Sequence, residues 1–261
     1  MKTAFCKILI IASLISLACT TRVSEWVLLN ALPAQYTLIY FHNNPATDAV
    51  KKMNNELSDG MKAANIHFKM VARKEISEPY YGLFYEERQF IQYKTQPEIK
   101  DLISSPLREK VASELMSGKL CVIVYLLTNN KEKDDKGRKT LLKTLSISPF
   151  GSIIPVVELS RNSKEESVFA SMLLNVEDDL KNINEPMLFG VFGKFKALEP
   201  LLGRGITEEN IMLMIDYMTA ECSCLIKDDL PGTDILFNCK WDNPAPALLN
   251  KIIDDNPSLG R

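Results

Sequence analysis

Two long apolar runs stand out along the chain, at residues 36–44 and 121–130. Both are rich in β-branched and aromatic residues and both end in Asn-Asn, which is typical of buried β-strands. After the first run, apolar side chains recur every three or four positions between residues 45 and 64. That spacing predicts a helix with one buried face, with Asn44 as its N-cap and Pro45 in its first turn.

The second half of the chain repeats this order. Its first run is followed by a charged stretch, residues 131–138, which we expect to be a solvated loop before a short helix. Three later features also match between the first and the second half. Each half has a second predicted strand, at residues 66–72 and 154–159, and then a Glu-Pro pair that opens a strand, Glu78-Pro79 and Glu185-Pro186. One further strand follows in each half, at residues 90–93 and 196–201.

A helix is predicted to close each half. The first is bounded by Ser105 as N-cap and Gly118 as stop, and the second begins at Thr207. Only the second half contains an additional helix, which follows the capping-box pattern of residues 163–166. The turn Gly203-Arg204-Gly205 is interpreted as a tight turn, with anion binding at the following helix as the alternative.

A β-α-β segment followed by β-β-α, with proline opening the third strand, resembles the thioredoxin fold. The predicted fold class is therefore α/β: tandem thioredoxin-like units with mixed central sheets flanked by helices. The expected organisation is a signal peptide (1–18), a first unit (30–119), a second unit (120–221) and a Cys-containing C-terminal hairpin with a short helix (222–261). Within that last part, residues 244–253 predict a helix that packs Leu248, Leu249 and Ile252.

Composition narrows the range of functions. The chain of 261 residues is 46% hydrophobic and 25% charged, which is ordinary for a globular protein. A net charge of −2 does not favour nucleic acid as a partner. Two histidines in the whole chain exclude a His-rich metal site. We expect a protein partner, with no nucleic acid bound.

The N-terminus has the pattern of a secretory signal peptide. Lys2 and Lys7 precede an apolar run that is too short to span a bilayer. The segment Ser16-Leu17-Ala18-Cys19 resembles a bacterial lipobox, in which Cys19 carries the lipid, although Ser16-x-Ala18 also fits plain secretion. The sequence predicts export across the inner membrane to the periplasm, or a lipoprotein that contacts the membrane only through its N-terminal anchor.

The thioredoxin-like units lack the dithiol of that fold. A Cys-x-x-Cys motif belongs where the first strand meets the first helix, because the helix N-terminus lowers the pKa of the first thiol. Here those turns read His42-Asn43-Asn44-Pro45-Ala46 and Leu127-Thr128-Asn129-Asn130-Lys131. Neither unit can exchange disulfides by the usual route, and His42 is interpreted as a polar residue that finishes a strand.

Sulfur is concentrated instead near the C-terminus, at Cys222, Cys224 and Cys239. Cys222 and Cys224 could form a strained, easily reduced disulfide that acts catalytically in thiol–disulfide exchange. All three could bind zinc or cuprous copper, and the sequence points to no other cofactor. Cys239 could alternatively form a structural disulfide with either of the other two. The function is then thiol or metal handling in the cell envelope or, alternatively, a redox-inactive scaffold that binds a protein partner.

Several segments resemble a family of uncharacterised bacterial thioredoxin-like proteins. They are Ser105-Pro106-Leu107-Arg108-Glu109, Phe192-Gly193, Gly203-x-Gly205-Ile206, Cys222-Ser223-Cys224 and Pro231-Gly232-x-Asp234-x-Leu236. The resemblance extends over about half of the mature chain. It implies the thioredoxin-like fold and pairing of the cysteines, and it implies no substrate.

Replacing Cys19 tests the predicted anchor. We expect Cys19→Ser to abolish lipid labelling and to release the protein from membranes, because a serine offers no thiol for the lipid. The measurement is metabolic labelling with a fatty acid, combined with fractionation of the cells. Unchanged labelling and unchanged membrane association would exclude the lipoprotein hypothesis.

Overall fold

The computed structural model describes residues 21–221 and 230–239, with only the backbone of residues 99 and 100. Its helices are α1 (Val23–Asn30), α2 (Asp48–Gly60), α3 (Ile99–Ile103), α4 (Pro106–Met116), α5 (Lys131–Ile147), α6 (Ser167–Leu173) and α7 (Glu208–Thr219). Its strands are β1 (Tyr36–His42), β2 (Ile66–Ala72), β3 (Tyr80–Tyr85), β4 (Arg88–Tyr93), β5 (Cys121–Leu127), β6 (Val156–Ser160), β7 (Met187–Phe192), β8 (Lys196–Ala197), β9 (Leu201–Leu202) and β10 (Thr233–Asp234). No helix within these described ranges is long and apolar enough to cross a membrane.

The first sheet has the strand order β2-β1-β3-β4. Strands β1 and β2 run parallel, whereas β3 is antiparallel to both β1 and β4. Pro79 directly precedes β3, where its missing N–H costs no hydrogen bond within the strand. This is the strand order of the thioredoxin fold.

The second sheet repeats that arrangement in the order β6-β5-β7-β8, with β10 added beyond β8 and with β9 also paired to β7. Its register matches that of the first sheet. Tyr40 pairs with the second residue after Pro79, and Tyr125 pairs with the second residue after Pro186. The predicted fold class is confirmed: two mixed sheets flanked by helices.

The charged stretch 131–138 is helix, and the prediction of a loop there is wrong. Asn130 caps α5 by accepting a hydrogen bond from the backbone N–H of Lys133. Ion pairs of Asp135 with Lys131 and Arg138 then lie one turn apart on the helix surface. The apolar period misses this segment because its buried side chain is a carboxylate, that of Asp134.

Two helix starts also differ from prediction. Helix α2 begins at Asp48, because the hydroxyl of Thr47 accepts the N–H of Val50 at 3.3 Å and so supplies the cap predicted at Asn44. Helix α1 lies ahead of the first predicted unit and packs against β7. There Gly193, at φ +59°, lies so close to Val27 that a side chain would clash.

Two hydrophobic cores hold the molecule together. One contains the inner residues of both sheets, such as Leu38 and Val124, together with Phe169 of α6. The other lies on the opposite side of the second sheet, where Ile123 packs under α5 and α7. Because the first core is shared by both sheets, the two thioredoxin-like units pack on a common interior.

A buried arginine lies in the contact between the two units. The guanidinium of Arg108, fully buried, donates hydrogen bonds to the carbonyl oxygens of Asp101 (2.8 Å), Leu102 (2.9 Å) and Leu236 (3.3 Å). Its Nε also donates to Ser105 Oγ at 3.0 Å. Burial lowers the pKa of Arg108 to about 10, an effect that nearby Glu166 opposes most. The remaining guanidinium N–H donates to the carbonyl oxygen of Ser104, so every donor of this buried cation meets an oxygen.

Arg108→Met should therefore destabilise the fold strongly. Methionine fills the volume but leaves several buried carbonyls without donors, and we expect a loss of about 3–5 kcal/mol in the free energy of unfolding. Chemical denaturation followed by circular dichroism measures it. Arg204→Met is the control, because Arg204 is exposed and should change stability by less than about 0.5 kcal/mol. Equal stability of the two variants would contradict this role for Arg108.

Candidate functional site

The turn after β1 is held by its own polar side chains. Asn43 Nδ2 donates to the carbonyl oxygens of Ile76 at 3.1 Å and Ser77 at 3.2 Å, which ties the turn to the loop before β3. The Nδ1 atom of His42 lies 2.7 Å from the carbonyl oxygen of Asn44, and its ring stacks on Tyr40. The interpretation of His42 as a polar strand end is consistent with these contacts.

The corresponding turn after β5 is organised by one buried carboxylate. Asp134 accepts hydrogen bonds from the N–H and the hydroxyl of Thr128, both at 2.9 Å, and from the N–H of Asn129 at 3.0 Å. Asn129 adopts φ +70°, which asparagine tolerates better than most residues. The backbone N–H groups of Thr128 and Asn129 are therefore already satisfied by Asp134.

The described thiols are poor nucleophiles. Cys121 lies fully buried inside β5, and burial raises its pKa to about 12. Cys239 is half-buried, and burial raises its pKa to about 11. Because only the thiolate attacks a disulfide, both are almost entirely in the unreactive form at neutral pH.

The predicted cysteine pair and the lipidation site fall elsewhere. Cys222, Cys224 and Cys19 lie outside the described residues. Of the three candidate metal ligands, only Cys239 is described. Within residues 21–221 and 230–239, no group of three or more His, Cys, Asp or Glu side chains is arranged to hold a metal ion.

The second unit has a groove beside the turn that follows β5. It has a volume of about 480 Å³, within the range of ligand sites, and lies between the first turns of α5 and the loop that opens β7. We call it the basic groove. It is lined by Lys133, Lys136, Gly137, Thr140, Glu185, Pro186, Gly203, Arg204, Ile206 and Thr207.

Charge in the basic groove is predominantly positive. Lys133 pairs with Glu185 at 2.5 Å, which neutralises both. Lys136 and Arg204 are exposed, and neither takes part in the ion pairs found among the described residues. Two cations therefore remain available to a ligand in a groove that Thr140 and Thr207 also line.

Hydrogen bonds hold the loop that forms one side of the basic groove. Arg161 donates to the carbonyl oxygens of Ile183 at 2.7 Å and Glu185 at 3.3 Å, which fixes the loop before Pro186. The N–H of Gly203 donates to the carbonyl oxygen of Pro186 at 2.9 Å. The loop therefore presents a preformed surface to a ligand, which reduces the entropic cost of binding.

The sequence pattern did not predict the basic groove. Lys133 and Lys136 belong to the segment predicted as a loop, and Arg204 belongs to the predicted tight turn. The turn itself is confirmed, as a short 3₁₀ turn at Gly203–Gly205. One signal was available: lysines spaced three apart at the start of a helix share one face, but only if the helix is recognised.

Comparison with known proteins adds little. No protein-family model matches the chain, and no curated protein is similar to it. A structure of the first two thioredoxin domains of Saccharomyces cerevisiae Eps1p aligns over 61% of this chain and 81% of its own, at 13% identity and a TM-score of 0.23. A crystal structure of ERdj5 aligns over 80% of this chain and 30% of its own, at 10% identity and a TM-score of 0.25. The fold assignment rests on strand order and register within this chain.

Proposed function

We propose that this thioredoxin-like protein binds a protein partner, and that it recognises an acidic segment of that partner in the basic groove. The observation that carries the proposal is the pair of exposed cations, Lys136 and Arg204, that line a preformed groove. Carboxylates are the protein groups that such cations attract. Binding without thiol chemistry also agrees with the replacement of both dithiol positions by self-satisfied turns.

The basic groove favours a peptide over a compact inorganic anion. Glu185 lies in the groove and is paired with Lys133, so a small multivalent anion would meet a carboxylate beside the cations. An extended acidic segment can place its carboxylates on Lys136 and Arg204 and keep uncharged groups beside Glu185. The groove thus suits a peptide in which charged and uncharged groups alternate.

Location follows the sequence prediction. We propose that the protein acts in the cell envelope after export, with Cys19 as lipid anchor. A lipid at the N-terminus would hold the protein at the membrane surface, where it would meet envelope proteins by diffusion in two dimensions. Charge attraction would then raise the encounter rate with acidic partners, more so at low ionic strength.

Binding of a designed acidic peptide tests the basic groove. The probe is a short fluorescent peptide of alternating Glu and Leu, and the readout is fluorescence anisotropy with the full chain. We expect the double variant Lys136→Ala/Arg204→Ala to bind about tenfold more weakly, because each lost ion pair contributes on the order of 0.7 kcal/mol. Affinity for the unchanged chain should fall with added salt.

Two controls separate the basic groove from general charge effects. Lys139→Ala removes an exposed cation from the same helix outside the groove and should leave the affinity unchanged. The same peptide with Gln in place of Glu should bind no better to the unchanged chain than to the double variant. Absence of binding by the acidic peptide, or equal loss in Lys139→Ala, would overturn the proposal.

The cysteine pair supports a second candidate function, thiol–disulfide exchange or binding of zinc or copper. In the sequence, Cys222 follows the last turn of α7 after two intervening residues, Ala220 and Glu221, and one residue separates it from Cys224. A helix C-terminus is negative and does not stabilise a thiolate, so we expect a slow, easily reduced pair rather than a fast nucleophile. The metal alternative requires Cys239 as well.

Mass spectrometry in graded thiol buffers tests the exchange hypothesis. We expect a reversible change of two hydrogen masses that is lost in both Cys222→Ser and Cys224→Ser. Cys239→Ser is the control and should retain the change. A disulfide mapped between Cys239 and either partner, resistant to reduction in the folded protein, would contradict exchange. Zinc retained by the reduced protein but lost in Cys239→Ser would favour the metal alternative.

A further inference from the structure

One face of the first sheet carries apolar side chains that belong to neither hydrophobic core. Along β1, Leu38 and Tyr40 enter the shared core, and the residues between and after them face the other side. We call that side the outer face; its apolar residues are Ile39, Phe41, Val71, Tyr80 and Phe84. Within the described residues, none of these five is a member of either core.

The outer face is only partly covered. Phe41 itself is buried, and its ring centroid lies 4.9 Å from that of Tyr80 and 4.6 Å from the guanidinium carbon of Arg73. Ile39 and Phe84 are half-buried. A cluster of this composition on an open sheet leaves apolar area in water that a further layer would remove.

The second sheet shows which element covers the equivalent face. Phe41 and Leu126 each pair with the residue that directly follows the strand-opening proline, so the two positions correspond. Leu126 is fully buried, in the same core as Phe169 and Leu173 of α6. The outer face is thus the counterpart of the face that packs against α6 and against α4 of the first unit.

The first unit has no counterpart of α6. Residues 161–186 connect β6 to β7 and include that helix, whereas only residues 73–79 connect β2 to β3 and they form no helix. Among the residues that the structure describes, the first sheet therefore has only one of the two covering layers that its fold calls for.

We propose that the C-terminal segment supplies the missing layer, with the predicted helix at residues 244–253 lying on the outer face. Its apolar residues Leu248, Leu249 and Ile252 need a surface to pack on, and the outer face needs an apolar cover. The proposal is independent of the basic groove, which belongs to the second sheet.

The position where the described chain stops agrees with this docking. Asn238 forms a bridge with Ala64, two residues before β2, and its N–H donates to the carbonyl oxygen of Ile103 at 3.0 Å. The chain is therefore beside the edge of the first sheet at that point. Residues 239–243 can extend about 17 Å, which is enough to turn onto the outer face.

Charge supports the same occupant. The outer face is bordered by Lys69, which is exposed on β2 opposite Ile39, and by Arg73 at the end of that strand. The C-terminal segment carries Asp254 and Asp255 directly after the predicted helix. Opposite charges at the border favour this segment over a second copy of the outer face, which would bring lysines together.

Photo-crosslinking in the full chain tests the docking. The photoreactive amino acid benzoylphenylalanine is placed at Phe84, and products are mapped by mass spectrometry. We expect crosslinks within one chain to residues 240–261. The same group at Leu213, which is exposed on α7, should not reach that segment.

Variants in the segment make the test specific. Leu248→Asp/Leu249→Asp should lower the crosslink yield at least about tenfold, because charged side chains cannot pack on the apolar face. Asn250→Asp adds a charge outside the apolar set and should leave the yield unchanged. Crosslinks between two copies, no crosslink at all, or a yield that the double variant leaves unchanged would each overturn the proposal.

Discussion

The buried guanidinium of Arg108 is the interaction on which the arrangement of the two units depends. It joins helix α3, the start of α4 and the segment after β10 by hydrogen bonds to their oxygens. Glu166, which precedes α6 of the second unit, accepts from Ser105 Oγ at 2.5 Å and from the N–H of Leu107 at 2.8 Å. A cation so completely buried is tolerated only because every direction it can donate in meets an oxygen.

The positions that hold the dithiol in thioredoxins carry no cysteine in either unit, and hydrogen bonds of polar side chains hold both turns in place. In thioredoxins the first turn of the helix stabilises a thiolate, whereas here Asp134 has taken the backbone donors after β5 and Asn43 bridges to the loop before β3. Both turns are structural supports. The basic groove lies beside the turn after β5. Its exposed cations take part in none of the hydrogen bonds that hold the two turns.

The two units have similar strands and differ in the helices that pack on their sheets. Strand order and register coincide, so the same residue pattern around Pro79 and Pro186 produces the same sheet. The second sheet is enclosed on both faces, but the described part of the first sheet is enclosed on one. Functional differences between the units therefore arise from helices and loops rather than from the sheets.

Local pattern alone determined much of this protein. Strand β2 and the caps Ser105 and Thr207 match their predictions, because alternation and capping depend on neighbouring residues. Tertiary structure decided what depends on distant partners. The sequence places Glu166 in a local capping box, yet its carboxylate caps α4 by accepting from the N–H of Leu107, 59 residues earlier in the chain. The helical start of α5 and the basic groove could not be predicted from the sequence for the same reason. A buried carboxylate, or a cleft shared by distant segments, produces no periodic pattern of apolar residues.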